Sequence, residues 1–140
     1  MGEQMDPNLS SRNFEEAVEA FFSFMGYQTK INTVLHTRPV RIHAEIHQPS
    51  GKQRILIECK HFGQEPIGIH EVEKFCSTIA FAREKSEADR GILITQAHFS
   101  EEAKSWSAKN CSFVELRTYR QLICKSIRFK KMLKKFPNSY

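Results

Sequence analysis

The 140-residue chain lacks several features that would assign it to common classes of protein. Its apolar runs are only a few residues long, far shorter than a membrane span requires, and no secretory signal is visible. Its four cysteines form no Cys-x-x-Cys pair, which argues against a zinc ribbon and against a disulfide scaffold. We therefore expect one globular domain with reduced thiols, located in the cytoplasm.

Acidic side chains are missing from the last part of the chain. Residues 116–140 contain eight Lys and Arg and no Asp or Glu, which gives this part a net charge of +8. Residues 1–115 contain 13 basic and 16 acidic side chains, a net charge of −3. A basic segment of this kind favours a polyanionic partner such as nucleic acid. The alternative is a solvated helix face that only keeps the protein soluble.

Hydrophobic periodicity predicts four helices and five strands in the order αβββαβαβα. The helices are expected over residues 13–25, 69–85, 100–110 and 118–136, and the strands over 27–35, 40–47, 54–60, 91–95 and 111–116. Three antiparallel strands followed by alternating helix and strand predict an α/β fold, a central mixed sheet flanked by helices. We expect residues 1–12 to be a flexible leader, 13–123 the domain, and 124–140 a basic helix that could lead into another domain.

Charged residues end the third predicted strand. Glu58 and Lys60 are two positions apart, so both side chains lie on one face of the sheet, and Cys59 points to the other face as a small buried group. Glu45 precedes Glu58 by thirteen residues on the neighbouring strand. A hairpin turn near residues 49–52 should bring Glu45 close to Glu58 or its neighbour. Two carboxylates and one ammonium would then converge.

Such a trio suits a magnesium site. Mg²⁺ takes oxygen ligands, commonly one or two carboxylates, with waters and a substrate phosphate completing the octahedron. Glu45 and Glu58 could supply the carboxylates and the Cys59 carbonyl a third ligand, with Mn²⁺ as a substitute ion. Lys60 could orient the attacking water or neutralise developing charge. The alternative is an ordinary cross-strand Glu–Lys pair at the sheet surface.

Four segments resemble, in order and spacing, the PD-(D/E)xK nuclease superfamily, most closely its Mrr-like restriction endonuclease branch. They are NFEEAVEAFFSFMGY at residue 13, AEI at 44, ILIECKHF at 55 and GILITQAHFSEEAKSWS at 91. The resemblance implies a restriction-endonuclease-like fold. It places Glu58 and Lys60 at the family's acidic and lysine positions, and Glu45 where the family usually has Asp. Glu15 resembles a helix carboxylate that many members aim at the metal or its waters.

The resemblance implies a Mg²⁺-dependent endonuclease that hydrolyses duplex DNA, in restriction or in defence against foreign DNA. Because each such site cuts one phosphodiester, a homodimer or higher oligomer is expected for cutting both strands, and a sensor or specificity domain could be fused or associated. Glu instead of Asp at position 45 favours a second hypothesis, a catalytically weakened nuclease fold that binds nucleic acid or assembles a complex. A third is a repair or junction-resolving nuclease on the same fold.

Several other residues are candidates for contacting DNA. They are Arg41, His43, Lys52, His61, Gln96, Lys130, Lys131, Lys134 and Lys135. His43, Glu45 and His47 could instead form a transition-metal site on one strand face. Alternate residues on a strand are about 6–7 Å apart, however, which is too far for all three to share one ion without bending.

Overall fold

A computed structural model of the chain describes residues 11–32, 41–60 and 65–135. Five strands form one mixed sheet, and their spatial order is the same as their order in the chain. The first three strands pair antiparallel, and the fourth and fifth join in parallel. The predicted α/β class and the order αβββαβαβα are confirmed.

The elements lie close to their predicted positions. They are α1 (Ser11–Phe24), β1 (Gln28–Asn32), β2 (Arg41–Gln48), β3 (Gly51–Lys60), α2 (Ile69–Glu84), β4 (Arg90–Thr95), α3 (Glu101–Asn110), β5 (Val114–Thr118) and α4 (Tyr119–Lys135). β5 begins three residues later than predicted, because the amide of Cys111 bonds to the Ser107 carbonyl and belongs to the end of α3. The leader, except for its last two residues, and residues 33–35 of the first predicted strand lie outside the described residues.

Helices cover both faces of the sheet. On the first face, α1 and α4 pack against inward side chains of β2, β3 and β4, including Ile42, Ile57 and Ile92. On the second face, α2 and α3 pack against Leu56 and Leu93. The helical spacing of apolar residues explains this arrangement for α1, whose Phe14, Val18 and Phe22 recur at four-residue intervals and are all buried. The predicted domain boundary after residue 123 falls within α4.

The second face is closely packed over β4. A side chain added at Gly91 would approach Ile79 Cδ1 and Cγ1 to 2.5 Å and Phe75 Cε2 to 3.0 Å, so only glycine lets α2 lie this near the sheet. Within the described part of the chain, none of the helices combines the length and apolar character that crossing a bilayer demands.

Candidate active site

Glu58 is a buried charged residue near the end of a central strand. β3 pairs with β2 on one side and with β4 on the other, and it is buried from Ile55 to Cys59. Alternation along β3 places Glu58 and Lys60 on the second face together with Leu56. Glu58 retains only 4% of its accessible surface. A carboxylate at this depth requires close charged or hydrogen-bonding partners.

Two cationic side chains lie beside the carboxylate of Glu58. Arg41 Nε donates to Glu58 Oε1 at 3.1 Å, and Lys60 Nζ lies 3.2 Å from Glu58 Oε2. The side chains of Arg41 and Lys60 are 27% and 15% exposed, so both are partly withdrawn from water. Each oxygen of the carboxylate therefore has a cation beside it. We call Arg41, Glu58 and Lys60 the Glu58 cluster.

The expectation that the hairpin brings Glu45 beside Glu58 is wrong. Arg41 is directly opposite Glu58, whereas Glu45 is opposite Arg54. The reason is the turn: Gln48 pairs with Gly51, so Pro49 and Ser50 alone form the loop, and Gly51 has the positive φ of 127° that favours glycine. Glu45 is four residues from Arg41 along β2, about 13 Å at 3.3 Å per residue.

Glu45 has a separate and more exposed environment. Its Oε2 lies 3.5 Å from Lys52 Nζ and 3.6 Å from His47 Nε2, and its side chain is 32% exposed. Ion pairs at this exposure contribute little to stability. Glu45 therefore belongs to the turn end of the hairpin, away from the Glu58 cluster.

The described residues do not fit the predicted two-carboxylate magnesium site. Among residues 11–32, 41–60 and 65–135, no group of three His, Cys, Asp or Glu side chains is placed to hold a metal ion, which also removes the His43–Glu45–His47 site. Neither of the segments 33–40 and 61–64, which flank β2 and β3, contains Asp or Glu. The prediction that Glu45 and Glu58 share one ion is corrected by the pairing of β2 with β3.

Cys59 and Glu15 lie on the other side of this strand end. Cys59 is buried in the first-face core, as predicted. Burial raises the pKa of the Cys59 thiol, and the negative charges of Glu15 and Glu58 raise it further. Glu15 is therefore within electrostatic range of Cys59, but it belongs to α1, which packs on the first face. Its role toward a metal stays a prediction.

The other predicted contact residues occupy different parts of the fold. Arg41 and His43 lie on the second face of β2, and Gln96 follows Thr95, which pairs with Lys60. Lys52 is exposed near the hairpin turn, and Lys130 and Lys131 are exposed on α4. Lys134 and Lys135 lie in α4, but their side chains are outside the description, as is all of His61.

A polar hollow on the second face includes residues that the sequence did not suggest. It has a volume of about 250 Å³, and its lining includes Lys30, His43, Glu45, Arg54 and Glu87. Burial lowers the pKa of His43 below 6.5, and the charge of Arg41 lowers it further. Lys30 adds to this effect and Glu87 opposes it. The hollow therefore places an imidazole of lowered pKa among charged side chains.

Solved structures that resemble this fold include two that are named as endonucleases. The apo form of EndoMS has a TM-score of 0.57 at 19% identity, covering 82% of this chain and 47% of that one. A repair endonuclease from Pyrococcus abyssi has a TM-score of 0.56 at 16% identity, covering 82% and 49%. The DNA modification-dependent restriction endonuclease AspBHI has a TM-score of 0.54 at 16% identity, covering 81% of this chain and 32% of that one. The chain thus spans half or less of the length of these three structures.

The sequence itself carries the family assignment. No curated protein matches the chain at a significant level. The family model for restriction endonucleases, of the Mrr type, matches residues 7–124, which is most of the chain. That range contains the whole sheet, the Glu58 cluster and the start of α4. The chain belongs to the restriction endonuclease family.

Proposed function

We propose that this chain is a DNA-acting domain that holds a phosphodiester of duplex DNA at the Glu58 cluster. The observation that carries the proposal is the close approach of Lys60 to Glu58, 3.2 Å at the end of a central strand, in a member of this family. Lys60 and Arg41 place two cations where a phosphate could approach. Positioned cations of this kind stabilise phosphoryl oxygens.

One mode of action is hydrolysis. The domain would act as a Mg²⁺-dependent endonuclease, with Mn²⁺ as a substitute, in restriction or in defence against foreign DNA in the cytoplasm. Family membership and the Glu-x-Lys spacing support this mode. Lys60 would orient the attacking water and stabilise the charge that develops on the phosphate.

The second mode is DNA binding, or assembly of a larger complex, with weakened cleavage. The Arg41–Glu58 contact favours this mode, because a guanidinium occupies one side of the buried carboxylate. Glu45, the predicted second carboxylate of the metal site, is about 13 Å away along the strand. We conclude that DNA binding with weakened cleavage is the function that the geometry of this chain supports best.

A nicking assay distinguishes the two modes. Supercoiled plasmid is incubated with the protein in Mg²⁺, Mn²⁺ or EDTA, and duplex binding is measured in parallel by fluorescence anisotropy. We expect binding without efficient nicking. Glu58→Gln and Lys60→Ala test the cluster, and Glu45→Gln is the matched control on the same hairpin. Rapid nicking that requires Mg²⁺ and is lost in Glu58→Gln would establish the hydrolytic mode instead.

The whole protein is expected to contain more than this domain. Since the chain spans 32–49% of the length of the three structures compared above, we propose a fused or associated sensor or specificity domain. Cutting both strands would need a homodimer or higher oligomer. A role in repair is the alternative to restriction, and branched, methylated and unmodified duplexes in the binding assay separate the two roles.

A further inference from the structure

The position of Arg41 has a consequence for the ligand of the Glu58 cluster. Directly opposed residues of an antiparallel pair have Cβ atoms about 4.5–5.5 Å apart. A carboxylate at position 41 could therefore share one cation with Glu58. The chain has Arg41 there instead, and its guanidinium contacts Glu58 at 3.1 Å. The positive charge beside the buried carboxylate is thus supplied by an arginine side chain and not by a bound metal ion.

Arg41 reverses the sign of the net charge of the cluster, compared with a site that has a second carboxylate at this position. A lysine with two carboxylates has a net charge of −1 and repels phosphate until a metal binds. Arg41 and Lys60 with Glu58 have a net charge of +1. Arg41 uses its Nε on Glu58 and keeps 27% of its side chain accessible. Arginine has five N–H donors, so the group can contact Glu58 and an oxyanion together.

We infer that the Glu58 cluster is a metal-independent phosphodiester site in which the Arg41 guanidinium takes the place of a divalent ion. Arg41 and Lys60 contact the phosphate oxygens, and Glu58 fixes both cations in position. The inference rests on the proposed binding of DNA, and it assigns the positive charge of the site to Arg41.

The first experiment uses the protein without DNA. Binding of Mn²⁺ is followed by the electron paramagnetic resonance signal of the free ion. We expect no Glu58-dependent Mn²⁺ binding in the wild-type protein. Arg41→Asp should gain a Mn²⁺ site, and the double variant Arg41→Asp/Glu58→Gln should lose it again. A Mn²⁺ site in the wild-type protein that disappears in Glu58→Gln would overturn the inference.

The second experiment measures duplex affinity in EDTA and in Mg²⁺ as a function of salt. Wild-type affinity should not increase when Mg²⁺ replaces EDTA, because Mg²⁺ only competes with Arg41 and Lys60 for the phosphates. A rise in affinity that requires Mg²⁺ and Glu58 would contradict the inference. Arg41→Met should bind more weakly, with a salt slope smaller by about 0.9, the value for one phosphate contact. Arg41→Lys should keep most of the slope, and Glu45→Gln should match the wild type.

The two experiments fail in different ways. If no variant or condition shows duplex binding, the proposed function is wrong, whatever the Mn²⁺ titration shows. If DNA binds but Arg41→Met has the wild-type salt slope, the assignment of Arg41 to the phosphate is wrong. Circular dichroism of each variant checks folding. If Arg41→Asp does not fold, the comparison of the wild type with Glu58→Gln in the Mn²⁺ titration and the salt slope of Arg41→Met still decide the test.

Discussion

Replacing Glu58 by Gln should destabilise the protein, and the sign of this effect tests whether Arg41 and Lys60 pair with the buried carboxylate. The carboxylate is 4% exposed and has Arg41 and Lys60 within 3.2 Å. Removing one partner of a buried ion pair costs about 3–5 kcal/mol. Because both cations are partly exposed, we reduce this to about 2–4 kcal/mol for Glu58→Gln.

The opposite sign is expected for an acid that is held ready for a metal. Such a carboxylate would lie in an unfavourable environment until the metal binds, and replacing it would leave stability unchanged or raise it. The control is Glu45→Gln, which removes a carboxylate that is 32% exposed from the same hairpin and should cost less than about 1 kcal/mol.

Urea denaturation followed by circular dichroism gives the free energy of unfolding for each variant. Arg41→Met and the double variant Arg41→Met/Glu58→Gln complete a double-mutant cycle. The coupling energy between Arg41 and Glu58 should be about 0.5–3 kcal/mol. If Glu58→Gln is neutral or stabilising, or if it costs no more than Glu45→Gln, the Arg41–Glu58 contact does not hold the site together in solution.

Three further results are expected from other parts of the fold. Gly91→Ala should lower the free energy of unfolding by about 1–3 kcal/mol in urea denaturation, because its Cβ would lie 2.5 Å from Ile79. The cost should be smaller in an Ile79→Ala background. Equal costs in both backgrounds would contradict the close packing of α2 on β4. The His43 imidazole should titrate below pH 6.5 by NMR and shift upward in Arg41→Met; its contribution to stability is complete above pH 6.5 and is lost as the pH falls toward the folded-state pKa. Changing Lys130, Lys131, Lys134 and Lys135 to Gln should lower the salt slope of duplex binding by about 0.9 per lost phosphate contact, whereas changing Lys74, Lys85, Lys104 and Lys109 should not; equal slopes would leave α4 a solubilising or connecting helix.

Local patterns were sufficient to predict the elements of this fold. The four-residue recurrence of Phe14, Val18 and Phe22 defines the buried face of α1, and Ser100 accepts a hydrogen bond from the Ala103 amide as the cap that begins α3. The start of β5 was predicted too early because the backbone bond that ends α3 at Cys111 has no signature in the residue types.

The face of each site residue was predictable, but its position along the strand was not. A shift of the turn centre by two residues moves the pairing of two strands by four. An even shift keeps every side chain on its own face. Glu45 and Glu58 therefore share the second face, as the alternation implies, yet lie far apart along it. Pro49, Ser50 and Gly51 all favour a turn, so residue types alone did not fix its centre.

Cross-strand charge, however, does distinguish the two possible registers. A register with Glu45 directly opposite Glu58 would place two carboxylates side by side, which is unfavourable unless a cation lies between them. The observed register places Arg41 opposite Glu58 and Glu45 opposite Arg54, so unlike charges meet at both positions. The hairpin can therefore form without a metal ion. It follows that EDTA should leave the free energy of unfolding unchanged, because no bound ion contributes to holding β2 against β3.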